Sequence, residues 1–150
     1  MRLLVLAALL VLTLSCQKQN LKNAKESVLG TWRVTQIYSE QKDASGDFSD
    51  GRHWENGELG FMTFSENAVE YAYTRLSETY DSTETWVLNR EKVNEGFFKV
   101  EKYTLTIGDR DYDCTFGDAT SVSEKNADIL TLSYETTEPE PNYTMTLEKL

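Results

Sequence analysis

Histidine, cysteine and proline are scarce in this chain of 150 residues, and each shortage narrows what the chain can be. The one histidine, His53, cannot form a histidine-rich metal site by itself, and no cysteine spacing supports one. Both prolines, Pro139 and Pro141, fall in one turn-like segment. Because proline cannot donate a hydrogen bond to a sheet, their absence from every other segment fits a chain made of paired strands.

Positive charge is also in short supply. The chain has 15 basic and 25 acidic residues. Without residues 1–15, which contain Arg2 and no acid, 14 basic residues face 25 acidic ones, a net charge of −11. Nucleic-acid binding needs a basic stripe that neutralises phosphates, so this class is excluded. The acids are scattered from Glu26 to Glu148, which indicates a solvated surface.

Signatures of catalysis are missing as well. The sequence has no G-x-S-x-G motif and no phosphate-binding loop. Asp109, Asp111 and Asp113 alternate, but a helix–loop–helix calcium site needs glycine and glutamate where Cys114 and Thr120 stand. The sequence therefore predicts a protein that is not an enzyme and holds neither a metal ion nor another cofactor.

The N-terminus carries a targeting segment. Residues 1–16 read MRLLVLAALLVLTLSC, with one positive charge at Arg2 and an apolar run broken only by Thr13. This is the pattern of a secretory signal peptide. It is shorter than the roughly 20 apolar residues that a membrane-spanning helix requires. We expect residues 1–15 to be removed on secretion.

The end of this segment, Ser15 followed by Cys16, resembles the lipobox of bacterial lipoproteins, although Thr13 stands where that family usually has an aliphatic residue. The resemblance implies that Cys16 carries acyl chains as the first mature residue and anchors the protein in the cell envelope. Gln17 in place of aspartate implies the outer membrane. Cleavage of an ordinary signal peptide near Ser15 is the alternative. With Cys16 acylated, Cys114 has no disulfide partner and is expected to be a small buried side chain.

Residues 16–27 form a polar segment, interpreted as a tether with a short helix. Its lysines are either simply solvated or lie on anionic headgroups. Asn20 is placed to cap the helix, and Gly30 is placed to end it. The apolar face of this helix would consist of Leu21, Ala24 and Val28.

From Gly30 onward, polar and apolar residues alternate, with many threonine, tyrosine, valine, phenylalanine and tryptophan residues that favour strands. Strands are predicted at 30–39, 58–65, 68–77, 80–90, 97–107, 111–116, 128–135 and 142–149. Short antiparallel strands at this spacing indicate one all-β domain, either a barrel or a sandwich.

Five segments favour the barrel: VLGTWRVTQI, GFMTFSENAVEYAY, TETWVLN, YTLTIG and ILTLSYE…YTMTLEKL. Together they resemble the lipocalin-like domains of small bacterial lipoproteins over residues 28–150. The resemblance implies an up-and-down barrel of about eight antiparallel strands, preceded by a short helix. It also implies that Trp32, two places after Gly30, plugs the closed end of the barrel under an arginine near the last strand. Lys149 is the available substitute for that arginine.

The same alternation suggests a ligand site. Val69, Tyr71, Tyr73 and Arg75 project to one face, and Trp86 does so on the next predicted strand. These side chains either line a cup for an anionic or aromatic ligand or fill a closed interior, with Arg75 reaching solvent at the rim. The predicted connection at 41–57 contains Phe48, His53 and Trp54 and is a candidate lid. Trp54 is expected to contact the barrel or a partner.

Two functions follow. The first is a cell-envelope lipoprotein that binds a small, partly apolar ligand at Tyr71, Tyr73, Arg75, Trp86 and Trp54. The alternative is a module with a filled barrel that contacts another envelope protein. A cavity of about 300 Å³ or more at the end bearing the 41–57 connection favours the first, and an exposed apolar patch around Trp54 favours the second.

Overall fold

The computed structural model describes residues 21–41, 51–117, 128–136 and 141–150. The predicted signal peptide, the acylation candidate Cys16, the predicted cap Asn20 and the candidate lid residue Phe48 lie outside these ranges. Among the described residues, no helix is both long and apolar enough to cross a bilayer.

A short helix, α1 at residues 21–28, precedes eight strands. The strands are β1 Gly30–Glu40, β2 Arg52–Phe64, β3 Ala68–Arg75, β4 Glu78–Glu95, β5 Phe98–Ile107, β6 Arg110–Phe116, β7 Ile129–Tyr134 and β8 Asn142–Lys149. The prediction of eight strands from sequence alternation is confirmed.

All eight strands form one antiparallel sheet that closes on itself. Each strand pairs with the next, and β8 pairs with β1, so the order around the ring is the order along the chain. The fold is therefore an up-and-down barrel, and the sandwich alternative does not apply. Closure matters because it leaves no strand at an unpaired edge of the sheet.

The start of β2 was predicted wrongly. The strand begins at Arg52 instead of residue 58, so His53 and Trp54 belong to the sheet and not to a lid. Two cross-strand contacts extend the ladder here. The rings of Tyr38 and Trp54 lie 4.3 Å apart, and the Gln36 and Asn56 amides are joined by a hydrogen bond of 2.8 Å.

The end of β4 also differs from the prediction. The predicted strand ends at residue 90, but β4 continues to Glu95. Opposite charges stabilise this extension across the β4–β5 hairpin. Arg90 pairs with Glu101, and Lys102 lies 3.1 Å from Glu95. A charge-rich segment therefore resembles a loop in the sequence alone, although it forms a strand when it pairs with its neighbour in a hairpin.

The strands of the barrel are displaced along their length relative to one another, and this stagger is clearest at the long strand β4. Its first part pairs with β3 as far as Thr85, and its second part pairs with β5 from Trp86 onward. The two halves of β4 thus have different neighbours. As a result, its first half lies across from the β5–β6 turn, where Gly108 N–H donates to the Thr85 carbonyl at 2.9 Å.

One end of the barrel, here called the closed end, is where β1 begins and β8 finishes. Trp32 is completely buried there, and its indole N–H donates to the Val28 carbonyl of α1 at 2.7 Å. Lys149 Nζ lies 5.1 Å from the centroid of the Trp32 ring and donates to the Ser27 carbonyl at 2.8 Å. Gly30, with φ of +116°, provides the sharp change of direction between helix and strand.

Apolar side chains fill the barrel above this helix. The fully or almost fully buried ones include Val34, Met62, Phe64, Val69, Leu88, Leu105, Leu130 and Leu147. The backbone is also tight at Gly60, where a Cβ atom would lie 2.1 Å from the Ala72 carbonyl oxygen. At the other end, β1 finishes and the β3–β4 and β5–β6 turns lie. We call this the open end.

Candidate functional site

Six of the eight tyrosines of the chain lie towards the open end, and we call them the tyrosine cluster. Three stand on the β3–β4 wall and three on the β6–β8 wall. The members are Tyr71, Tyr73, Tyr80, Tyr112, Tyr134 and Tyr143.

Contacts run within each wall. Tyr73 and Tyr80 stack with ring centroids 5.4 Å apart and planes 15° from parallel. On the other wall, the rings of Tyr134 and Tyr143 lie 5.3 Å apart, and the hydroxyls of Tyr112 and Tyr143 share a hydrogen bond of 2.8 Å. Aromatic pairs of this kind add to the stability of the fold beyond the area that they bury.

Arg75 joins the two walls. Its guanidinium carbon lies 4.0 Å from the ring centroid of Tyr143 and 4.7 Å from that of Tyr80. The position follows from the alternation of β3, which turns Tyr71, Tyr73 and Arg75 to the same face. The side chain is only 4% exposed, so Arg75 does not reach solvent at the rim.

The charge of Arg75 is incompletely satisfied. Its Nη2 donates to the Tyr80 hydroxyl at 2.8 Å, and that hydroxyl donates to Glu78 at 3.0 Å. No acceptor in the part of the chain that the structure describes lies within hydrogen-bond distance of Nε or Nη1, and no carboxylate there forms an ion pair with this guanidinium. A buried donor without an acceptor costs about 1–3 kcal/mol, and more when it is charged.

A second buried polar group stands beside the same ring. Ser39 is 1% exposed and lies opposite Tyr143 in the β1–β8 ladder. Its hydroxyl, like Nε and Nη1 of Arg75, has no hydrogen-bond partner in the described segments. Buried polar side chains are paired in the large majority of proteins. Two such exceptions next to one tyrosine therefore indicate a candidate binding site at this end of the barrel.

Two of the buried phenols, Tyr73 and Tyr112, stay neutral. Burial raises the pKa of Tyr73 far above its ordinary value, with a smaller effect from Tyr143, while Arg75 opposes the shift. Burial and the neighbouring Tyr143 raise the pKa of Tyr112 in the same way. Neutral phenols offer O–H donors and apolar faces to a ligand, and no negative charge.

A cavity of about 230 Å³ opens beside the tyrosine cluster, between the first half of β4 and the β5–β6 turn. It is lined by Tyr71, Tyr73, Tyr80, Glu84, Ile107, Gly108, Asp109, Arg110 and Tyr112. Arg75 stacks on Tyr80, one of these lining residues. The cavity is therefore an aromatic pocket with carboxylates in its wall and the buried arginine beside it.

The turn after Arg75 is conformationally unusual. Leu76 and Ser77 both have positive φ, 50° and 65°, although neither is glycine. The carboxylate of Glu55 accepts the Leu76 N–H at 2.9 and 3.1 Å, so β2 supports the turn. Strained backbone of this kind persists only where its surroundings hold it, and it is concentrated at functional sites.

Of the five residues predicted to bind ligand, Arg75, Trp86 and Trp54 do not line the cavity, and Arg75 lies beside it. Trp86 is 3% exposed, and its indole N–H donates to the Ser65 carbonyl at 2.8 Å. Its ring meets Phe64 edge-on, so it belongs to the packed interior. Trp54 is 62% exposed and lies against Tyr38 on the outside of the barrel. Tyr71 and Tyr73 do line the cavity.

The sequence interpretation did not include Ser39, Tyr80, Tyr112 or Tyr143. The alternation of β6 and β8 does mark Tyr112 and Tyr143 as members of the inward face. Alternation gives the face of a strand but not the height at which opposite walls of a barrel meet. That height depends on the stagger of the sheet.

Other groups contribute little to this site. His53 is exposed, and no group of three metal-ligating side chains occurs among the described residues. Burial raises the pKa of the Cys114 thiol to about 12, so it is neutral near pH 7 and unreactive. A further cavity of about 450 Å³ lies between β5 and β6 against Tyr103, Cys114 and Phe116.

Comparison of the chain with protein-family models, with curated proteins and with solved structures finds no match.

Proposed function

We propose that this chain is a lipid-anchored protein of the cell envelope, held in the outer membrane and facing the periplasm or the cell surface, whose lipocalin-like barrel binds a small, partly apolar molecule at the open end. The observation that carries the proposal is the cavity beside the tyrosine cluster, next to the buried and incompletely hydrogen-bonded Arg75. The anchor is inferred from the signal segment and Cys16.

The cavity limits the size of the ligand. At about 230 Å³ it lies below the range of about 300–1,000 Å³ that is typical of pockets for drug-sized ligands. It is also smaller than the volume expected above for a ligand-binding barrel. The ligand is therefore a small molecule that inserts partly, with one end among the phenols.

Binding without catalysis agrees with the chemistry of the cavity wall. Efficient general acids and bases have pKa values near the working pH. Burial moves the pKa of Tyr73 and Tyr112 in the opposite direction, away from neutrality. The wall is better suited to hold a molecule than to transform it.

Native mass spectrometry of the freshly purified protein tests ligand binding. We expect a co-purified small molecule that is released on denaturation. Tyr71→Trp, which enlarges a side chain in the cavity wall, should lower its occupancy. Phe61→Trp is the matched control, because Phe61 is 38% exposed and does not line the cavity. A protein that carries nothing and binds nothing from a metabolite panel would contradict the proposal.

Lipid attachment has its own test. Globomycin treatment or Cys16→Ala should leave a larger, unprocessed precursor, whereas Cys114→Ala should be processed like the natural chain. Normal processing of Cys16→Ala and release in soluble form would show that an ordinary signal peptidase cleaves the chain.

One observation favours the alternative function, a contact with another envelope protein. Trp54 exposes 62% of its surface beside Tyr38 on the outer face of β1 and β2. If this face binds a partner, Trp54→Ser should abolish cross-linking to that protein in intact cells and leave the co-purified small molecule unchanged. The two functions are therefore separable by variants on opposite faces of the same sheet.

A further inference from the structure

We infer that the open end is a carboxylate site, in which Arg75 and Ser39 bind the carboxylate of a small aromatic monocarboxylic acid while the tyrosine cluster packs against its ring. This inference rests on the proposed function and names its ligand class. It starts from the two buried polar groups that have no partner in the described residues.

The guanidinium of Arg75 is held in a way that leaves it available to an anion. Tyr80 and Tyr143 cover its faces, at 4.7 and 4.0 Å. Such cation–π contacts stabilise the charge without using its N–H groups. Of the five N–H donors of an arginine, the one on Nε and the two on Nη1 have no acceptor within the described ranges. Those donors lie in the plane of the group, where a carboxylate is bound.

Ser39 supplies a neutral donor from another wall of the barrel. It faces inward from β1 and is the ladder partner of Tyr143. The guanidinium of Arg75 lies against the Tyr143 ring. A hydroxyl donates one hydrogen bond and matches a carboxylate oxygen. Tyr143 is thus the ladder partner of Ser39 and the ring contact of Arg75, and we expect one small anion next to Tyr143 to accept from both groups.

The remaining charges select an anion with a single negative charge. Glu84 and Asp109 stand in the cavity wall together with Arg110, and Glu78 accepts from the hydroxyl that Arg75 contacts. The three carboxylates outnumber the two arginines, and like charges in one site are unfavourable. A phosphate or a dicarboxylate would add a second negative charge to this site. A monocarboxylate would not.

The size and lining of the cavity indicate the rest of the molecule. Tyr71, Tyr73, Tyr80 and Tyr112 present ring surfaces to a space of about 230 Å³. Aromatic rings pack well against such surfaces in offset or edge-on arrangements. A single ring with a short acidic arm, as in phenylacetate, fits these requirements.

The test measures calorimetric binding of phenylacetate, benzoate and a short aliphatic acid to the purified protein, each beside its neutral amide and its phosphonate analogue. We expect at least one carboxylate to bind, and its amide and phosphonate to bind at least about tenfold more weakly. Equal binding of acid and amide would overturn the inference, as would preference for the phosphonate. This comparison uses the natural chain and does not depend on any variant.

Variants then locate the site. Arg75→Gln should lower the affinity for the carboxylate about tenfold or more, and Ser39→Ala should lower it about threefold to tenfold. Arg33→Gln is the matched control, because Arg33 is paired with Glu148 on the outside of the barrel, and it should not change binding. Unchanged affinity in folded Arg75→Gln would overturn the assignment.

The inference and the proposed function fail in different ways. A neutral co-purified ligand, with no carboxylate in the panel bound, would leave the barrel a binding protein and overturn the carboxylate site. A protein that neither carries nor binds any small molecule would overturn both.

Discussion

The two ends of the barrel differ in how their buried polar groups are hydrogen-bonded. At the closed end, a buried tryptophan and a lysine find acceptors at the last carbonyls of α1, through Trp32 N–H to Val28 and Lys149 to Ser27. At the open end, an arginine and a serine are more deeply buried than Lys149, yet Arg75 and Ser39 keep donors without acceptors in the described segments.

This difference separates stability from function within one sheet. Consistent packing with satisfied polar groups is what specifies a fold, and real proteins depart from it mainly at functional sites. The closed end follows the rule and the open end departs from it. Substitutions at the two ends should therefore change the free energy of unfolding with different sizes and even with different signs.

The largest expected effect is at the closed end. Trp32→Ala should lower the free energy of unfolding by about 3–5 kcal/mol, because it removes a fully buried indole and the hydrogen bond to α1. Trp54→Ala is the matched control and should change it by less than about 0.5–1 kcal/mol, since that ring is 62% exposed. Urea denaturation measures both, and a loss below about 1 kcal/mol for Trp32→Ala would contradict the role of this ring as a plug.

The middle of the barrel should respond next. Gly60→Ala should lower the free energy of unfolding by about 2–4 kcal/mol, because φ is +141° and the new Cβ would lie 2.1 Å from the Ala72 oxygen. Gly57→Ala has similar backbone strain at φ of +123° but no atom within 4 Å. The difference in the free energy of unfolding between the two variants, measured in thermal or urea melts, therefore isolates the steric clash. Equal losses of stability would show that the backbone around Ala72 moves to make room for the new Cβ.

The apolar interior should also produce a pH dependence. The folded protein holds the Cys114 proton up to a pKa of about 12, whereas the unfolded thiol ionises near its ordinary value of 9.0. The stabilisation is thus complete below about pH 9 and is lost as the pH rises towards 12. Between about pH 7 and pH 10 the loss from this group is on the order of 1 kcal/mol.

Urea melts of the natural chain and of Cys114→Ala at both pH values measure this contribution. The variant is less stable at neutral pH because it leaves a small cavity, but its stability should fall less steeply as the pH rises. Parallel pH profiles for the two proteins would show that the thiol is not buried as described.

The smallest expected effect has the opposite sign. Arg75→Met should leave the free energy of unfolding of the ligand-free protein unchanged or raise it by about 1 kcal/mol, because it replaces a buried charge with an apolar side chain of similar length. It should abolish carboxylate binding at the same time. Arg33→Met, at an exposed ion pair, is the control and should change neither property measurably. A loss of more than about 2 kcal/mol in Arg75→Met would show that its ring contacts are structural.

The sequence allowed the fold to be predicted because alternation is a local property. Each strand after Gly30 shows its inward face without reference to any other strand, and eight such segments with short turns leave few arrangements. The start of β2 was missed for the opposite reason. Arg52 to Asn56 is polar and has weak alternation, and it becomes a strand only because Tyr38 and Gln36 of β1 offer partners to its side chains.

The candidate site was predictable in part. Tyr71, Tyr73 and Arg75 share one face of one strand, so alternation was enough to group them. Tyr143 and Ser39 come from strands on another wall, and their meeting with Arg75 depends on the stagger that β4 introduces. The absence of acceptors around Arg75 is a three-dimensional property that no sequence pattern expresses.

The position of α1 has a consequence for orientation. The helix begins at Leu21 on the side of the barrel that Trp32 seals, and only four residues separate it from Cys16. An extended chain gains at most about 3.6 Å per residue, so an acylated Cys16 would hold Leu21 within about 18 Å of the lipid attachment. The sealed base would then rest near the bilayer and the arginine-bearing mouth would point away from it, towards whatever solutes reach that compartment.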